Sequence, residues 1–222
     1  VSSTGGIALP PLLKALGVKE IVELHCVPDG KFPHNPEPLP ENIRELCETV
    51  KGTGADLGFV VDPDVDRLAI VTEKGEVFGE EYTLVAVADY VLGKRRGAAV
   101  SNLSSSRALG DVCKEHRVDY FASAVGEVNV VKMMKAKNAV IGGEGNGGVI
   151  LPDLHYGRDA LAGIALFLSF LAEAGISCSG LRKRYPDYHI VKDRLPLTEK
   201  TDIDHLLKTV ARLYKDEKVT TI

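Results

Sequence analysis

The sequence predicts an α/β fold: two consecutive α/β domains with mixed, mainly parallel sheets, and the start of a further domain. Three observations carry this. Short apolar runs of strand length alternate with segments of helical period. Glycines and prolines punctuate the runs at Gly17, between Pro28 and Pro40, and at Gly52 and Gly54. From about Arg182 the alternation gives way to a proline-containing linker. Strands that alternate with helices build layers with largely parallel pairing.

Taken in order, Pro10 to Leu16 has apolar residues at helical spacing, and Gly17 follows as a stop. Glu20 to Cys26 reads as a strand, with Ile21, Val22 and Leu24 as its apolar residues. The prolines between Pro28 and Pro40 make a loop. Pro40 opens a helix to about Lys51, which Gly52-Thr53-Gly54 ends. Leu57 to Val61 and Leu68 to Thr72 are short apolar strands on either side of an acidic loop.

The second unit starts near Glu80. Helices are expected over residues 82–92, 107–116, 128–135 and 158–174. Strands are expected over residues 98–102, 119–123, 139–141 and 149–151. The tail carries a strand near His189 to Val191 and a helix from Ile203 to Tyr214.

Bulk properties narrow the function classes. With 45% hydrophobic and 26% charged residues, the 222-residue chain is globular rather than disordered. Its net charge of -4, from 27 basic and 31 acidic residues, argues against a general nucleic-acid binder. Cys26, Cys47, Cys113 and Cys178 are too scattered for a metal knuckle or redox pair, so free thiols in a reducing cytoplasm are expected. The longest apolar run, Ala160 to Ala172, is too short to cross a bilayer, and no membrane role is expected. Val1 lies in a glycine-rich turn and Ile222 follows a strand-like run, so both ends read as cut.

The acidic loop is the most informative segment. Asp62-Pro63-Asp64-Val65-Asp66-Arg67 leaves the strand Gly58 to Val61. Carboxylates at alternate positions on one tight loop repel without a cation. An all-oxygen set suits a hard divalent ion such as magnesium, calcium or manganese rather than zinc. The plain alternative is a solvated acidic loop. An EF-hand loop also begins Asp-x-Asp-x-Asp, and Glu73 falls at its twelfth position. Its sixth position needs glycine, however, where this chain has Arg67, and strands rather than helices flank the loop. A haloacid-dehalogenase-type phosphatase also places Asp-x-Asp after a strand, but its downstream lysine and acidic pair are not found at strand ends. A second candidate segment, Gly142-Gly143-Glu144-Gly145-Asn146-Gly147-Gly148, lies between two short strands. Its glycines let the backbone approach a ligand, and Glu144 can accept two sugar hydroxyls.

With these residues in hand, the aspartate loop resembles the metal loop of the α-D-phosphohexomutases, the superfamily of phosphoglucomutase, phosphomannomutase and phosphoglucosamine mutase. Pro63 stands where the family usually has glycine, and Val65 where it often has alanine or glycine. The resemblance implies that Asp62, Asp64 and Asp66 hold Mg2+ and that Arg67 contacts a phosphoserine. It makes Gly142 to Gly148 the sugar-recognition loop, with Glu144 on the ring hydroxyls and Asn146 where many members have serine. Ser123 to Glu127 resembles a sugar-contacting segment, and a carboxylate at Glu127 can pair with the ammonium of glucosamine. Its plain reading is a helix N-terminal acid. Lys132 and Arg107 are candidates for the substrate phosphate, with surface cations as the plain reading. Arg158 and Asp159 brace the fold, and His34 is structural.

The resemblance covers nearly the whole chain. Residues 1–78 look like the family's second domain without its first strand, 79–181 like the third, and 182–222 like a linker and the start of the fourth. It implies an intramolecular phosphotransferase that moves phosphate between the 6- and 1-positions of a hexose or hexosamine phosphate. The first domain, with the nucleophilic serine, and the phosphate loop of the fourth are partners missing from this chain, so the piece alone is expected to be inactive. Glu127 and Asn146 tilt the substrate toward glucosamine phosphate. A non-catalytic metal or sugar-phosphate binding module is the second reading.

Overall fold

The computed structural model of the chain describes residues 2–191, 196–198 and 201–217. Residues 1–189 form one unit and 190–222 another.

In the first unit, α1 (Gly5–Ala15) begins five residues before the expected Pro10 and runs through Pro10 and Pro11. Two glycines make the early start possible. A Cβ on Gly5 would sit 2.7 Å from Val61, and one on Gly6 would overlap the Cys26 carbonyl at 1.8 Å. Neither residue could carry a side chain where the helix meets the chain this closely. A 3-10 turn at Pro40–Asn42 precedes α2 (Arg44–Thr53), which Gly54 caps in the left-handed conformation at φ 70°. The antiparallel pair β1 (Leu57–Val61) and β2 (Leu68–Thr72) falls where the apolar runs place it, in the register Leu57 opposite Thr72.

The segment Glu20 to Cys26 is not a strand, contrary to the sequence expectation. Alternating apolar residues make a strand only where a neighbour offers a ladder of donors and acceptors. Among the described residues, no main-chain N–H from Lys19 to His25 donates to a main-chain carbonyl. The segment faces β1 across a cavity of about 650 Å³ instead, walled by Leu9, Leu13, Ile21, Leu24, Phe59 and Leu168 among others. Among the described residues, β1 has no partner strand on that side.

Next come α3 (Glu80–Lys94), β3 (Ala99–Asn102), α4 (Ala108–His116), β4 (Tyr120–Ser123) and α5 (Glu127–Lys137), all within a few residues of expectation. The hairpin β5 (Ile141–Glu144) and β6 (Gly148–Ile150) leads into α6 (Ala160–Ala174) and α7 (Cys178–Arg182). The sheet order is β4-β3-β5-β6, with β3 parallel to both β4 and β5 and β6 antiparallel to β5. The short α7 was not expected, and residues 189–191 form no strand. One core joins both halves of the unit: Val61, Leu68 and Ile70 pack with Phe78, Leu84, Ile141, Val149, Ile164 and Phe167. Cys113 and Cys178 lie buried, and burial pushes both thiols up to about 12, so they are inert at neutral pH. No helix among the described residues is long and apolar enough to cross a membrane.

One tie across this unit makes it acid-sensitive. Glu73, just after β2, accepts hydrogen bonds from the hydroxyl and the main-chain N–H of Ser179 in α7. Burial pushes its carboxyl up, but these bonds outweigh burial and hold it down at about 2. A depressed carboxylate stabilises the fold above its ordinary value of 4.5, and that stabilisation is lost as pH falls toward 2. Ser179→Ala should therefore flatten the acid limb of a plot of urea midpoint against pH. An unchanged limb would show that other groups control it.

The second unit, described alone, holds α8 (Ile203–Leu213). Asp202 caps it, its carboxylate accepting from the His205 N–H at 2.9 Å.

Candidate functional site

The loop between β1 and β2 is wound around its first aspartate. Asp62 is buried, and its Oδ1 accepts the N–H groups of both Asp66 and Arg67 at 3.0 Å. The Val65 N–H closes a turn onto the Asp62 carbonyl at 3.2 Å. That turn holds Val65 at φ 62°, a strained conformation for a β-branched residue. Pro63 anchors the loop from outside, its carbonyl accepting the hydroxyls of Ser3 (2.6 Å) and Thr4 (3.1 Å) at the start of α1.

This winding gathers the three carboxylates. Asp62, Asp64 and Asp66 each present an oxygen, all within 4.8 Å of one another. Two full charges at such a spacing repel by about 3 kcal/mol at an effective dielectric of about 20. Burial, and then the neighbouring Asp62, push the Asp66 carboxyl up to about 6. Asp66 Oδ1 and Arg67 Nε are buried without a hydrogen-bond partner. An orphaned carboxylate oxygen in an all-oxygen cluster is what a hard divalent cation would satisfy, so the residues fit a metal site.

Arg67 lines one side of this cluster. Its Nε is 3.8 Å from both Asp62 Oδ2 and Asp66 Oδ1, while its Nη1 is held by Glu37 of the proline-rich loop. Sequence reasoning missed Glu37, because nothing local marks a carboxylate thirty residues away as a partner of Arg67.

The glycine-rich segment is less of a loop than its composition predicts. Gly142, Gly143 and Glu144 belong to β5 and Gly148 to β6, leaving only residues 145–147 as the turn. Glu144 is buried on the strand; its Oε1 accepts from Asn102 Nδ2 at 2.8 Å and its Oε2 from Arg158 Nη1 at 3.0 Å. The hairpin is hooked onto the aspartate loop where the Leu68 N–H donates to the Gly147 carbonyl at 3.1 Å. Asn146 turns inward, its Oδ1 accepting the Gly148 N–H at 3.2 Å.

The structure thus brings together Asp62, Asp64, Asp66, Arg67, Glu144 and Glu127. Glu127 opens α5 and accepts the Arg158 N–H at 3.2 Å. Lys132 and Arg107 are exposed, and among the described residues no hydrogen bond or ion pair joins either to this cluster. His34 hydrogen-bonds to its neighbour Asn35 and meets the His25 ring edge-on at 5.9 Å.

Residues 1–75 match the family model for phosphoglucomutase/phosphomannomutase α/β/α domain II, and residues 79–188 match that for domain III. A phosphoglucomutase/phosphomannomutase of Thermococcus kodakarensis is 36% identical over 195 residues, 87% of this chain and 42% of that protein. A "Probable phosphoglucosamine mutase" of Methanopyrus kandleri is 34% identical over 94% of this chain and 47% of its own length. The crystal structure of a phosphoglucomutase/phosphomannomutase family protein from Burkholderia thailandensis superposes with a TM-score of 0.77 at 31% identity, covering 84% of this chain and 41% of that one. The chain spans less than half the length of these relatives. Two adjoining domain matches, on a fold that sets the acidic loop beside the glycine hairpin, show that this chain belongs to the phosphoglucomutase/phosphomannomutase family of the α-D-phosphohexomutase superfamily.

Proposed function

We propose that this chain is the metal- and sugar-binding middle of a magnesium-dependent phosphosugar mutase acting in the cytoplasm. The observation that carries this reading is the aspartate triad with its orphaned Asp66 Oδ1, set next to the buried Glu144. Asp62, Asp64 and Asp66 would hold Mg2+. When bound, that ion neutralises charge on a phosphoryl group in transfer. Arg67 adds a second positive group on the same side and contacts a phosphoserine. Glu144 accepts ring hydroxyls of a hexose or hexosamine phosphate, and Glu127 and Asn146 favour glucosamine. A residue that accepts hydroxyls from either sugar orientation suits a substrate whose 1- and 6-positions exchange roles.

Within these 222 residues, His34-Asn35-Pro36 is preceded by Phe32-Pro33 and no serine. The nucleophilic serine and the main phosphate-binding loop belong, in this reading, to the first and fourth domains of the complete enzyme. The 222-residue chain should therefore bind Mg2+ without turning over glucosamine 6-phosphate. At a hundredfold excess over Kd, Mg2+ should stabilise it by about 2.7 kcal/mol. Asp64→Asn should abolish that gain in a thermal-shift titration. A wild-type chain that Mg2+ leaves unmoved would sink the metal assignment. Turnover by the isolated chain would sink the assignment of the serine to another domain.

A further inference from the structure

Arg158 ties together groups that sequence reading assigns to different tasks. The residue precedes Asp159, the N-cap of α6, whose Oδ1 accepts the Ala162 N–H at 2.9 Å. Its guanidinium is largely buried and meets three carboxylates from three elements. Nη2 pairs with Asp66 Oδ2 in the aspartate loop, and Nη1 donates to Glu144 Oε2 in β5 at 3.0 Å. Nε lies 3.4 Å from Glu127 Oε2 at the start of α5, an ion-pair contact without hydrogen-bond geometry. The room for this side chain comes from Gly148, where an added Cβ would stand 2.4 Å from Arg158 Cδ.

The pairing leaves Asp66 divided. Oδ2 is engaged by the arginine, while Oδ1, the orphaned oxygen, remains for a cation. Outer partners of this kind fix the orientation of a metal-ligating carboxylate. The same guanidinium fixes the carboxylate assigned to the sugar. A planar fork with donors on three nitrogens can do both at once, and a lysine ammonium on a flexible stem cannot span the two.

We propose that Arg158 is a positioning residue that couples the two loops, so that a cation on Asp66 resets the carboxylate of Glu144. This rests on the metal and sugar assignments made above. Asp66 swings toward the ion, its Oδ2 carries Arg158 with it, and the arginine redraws its bond to Glu144. The main-chain bond from Leu68 to Gly147 joins the same loops but holds no carboxylate, so it carries none of this reorientation.

The test is amide chemical-shift mapping of the 222-residue chain during a Mg2+ titration. In the wild type, signals of residues 62–67 and 142–148 should move together with one midpoint. Arg158→Lys, which keeps the charge, should retain the first set of shifts and lose the second. Glu144→Gln leaves the grip on Asp66 in place and should give the same loss, should the lysine variant not fold. Shifts confined to residues 62–67 in the wild type would overturn the coupling while leaving the cation site standing. Undiminished movement of residues 142–148 in Arg158→Lys would overturn it as well, since field effects of the ion would then account for everything. Silence in both sets would remove the cation site and the coupling with it.

Discussion

Phe167→Ala should cost about 3–5 kcal/mol of stability, the most of any single change considered for this chain. Phe167 sits on α6 with no solvent exposure. Its ring meets Phe78 edge-on at 5.1 Å and Phe59 at 6.3 Å, with interplanar angles of 90° and 83°. Phe59 belongs to β1 and Phe78 lies between β2 and α3, where its N–H donates to the Ile70 carbonyl at 2.8 Å. One side chain therefore cements the strand that launches the aspartate loop to the helix that follows Arg158 and its neighbour, the N-cap Asp159. Truncation removes the ring's burial and both edge-to-face contacts, and leaves a cavity in a core that cannot collapse freely. Urea unfolding should show a lower midpoint with an unchanged slope, and the melting temperature should fall by about 6–20 °C. A loss under about 1 kcal/mol would mean that the site relaxes around the void, contrary to the packing described here.

Gly147→Ala should cost about 2–4 kcal/mol and should loosen the site as well as the fold. Gly147 has φ 87°, where a side chain is strained, and an added Cβ would lie 2.4 Å from the Leu68 carbonyl oxygen. The obstacle is main chain and cannot rotate away. The hairpin must retreat, and the Leu68 to Gly147 hydrogen bond at 3.1 Å breaks. Gly52→Ala is the control. Gly52 lies within α2 with open space around it, so alanine there should stabilise by about 0.5–1 kcal/mol. Opposite signs for the two substitutions in one denaturation series would confirm the geometry. Two stabilising results would show that the hairpin does not press on β2.

The uneven legibility of this chain has physical causes. β1 and β2 are bounded where the sequence places them because each apolar run stops at a polar residue and the two pair with each other. Glu20 to Cys26 has the same pattern and fails as a strand, because periodicity records which side chains want burial and says nothing of an available neighbour. The glycines of β5 hide a strand in the opposite way. Gly142 and Gly143 have no strand propensity of their own, yet close packing demands them: a Cβ on Gly142 would collide with Met134 at 2.5 Å, and one on Gly143 with the Gly148 carbonyl at 2.0 Å. The aspartate triad is legible because its members are neighbours in sequence. Arg158 and Glu37 are not, since their partners are 92 and 30 residues away and only tertiary closeness gives them a role.

The hollow beside β1 has a consequence for handling the molecule. A ladder open on one side, beside a greasy trough, offers other copies a place to adhere. Stickiness in concentrated samples would start at Val22, the exposed apolar residue on the wall of this trough. Because its driving force is oily surface rather than opposite charge, dilution or mild detergent would reverse it where added salt would not.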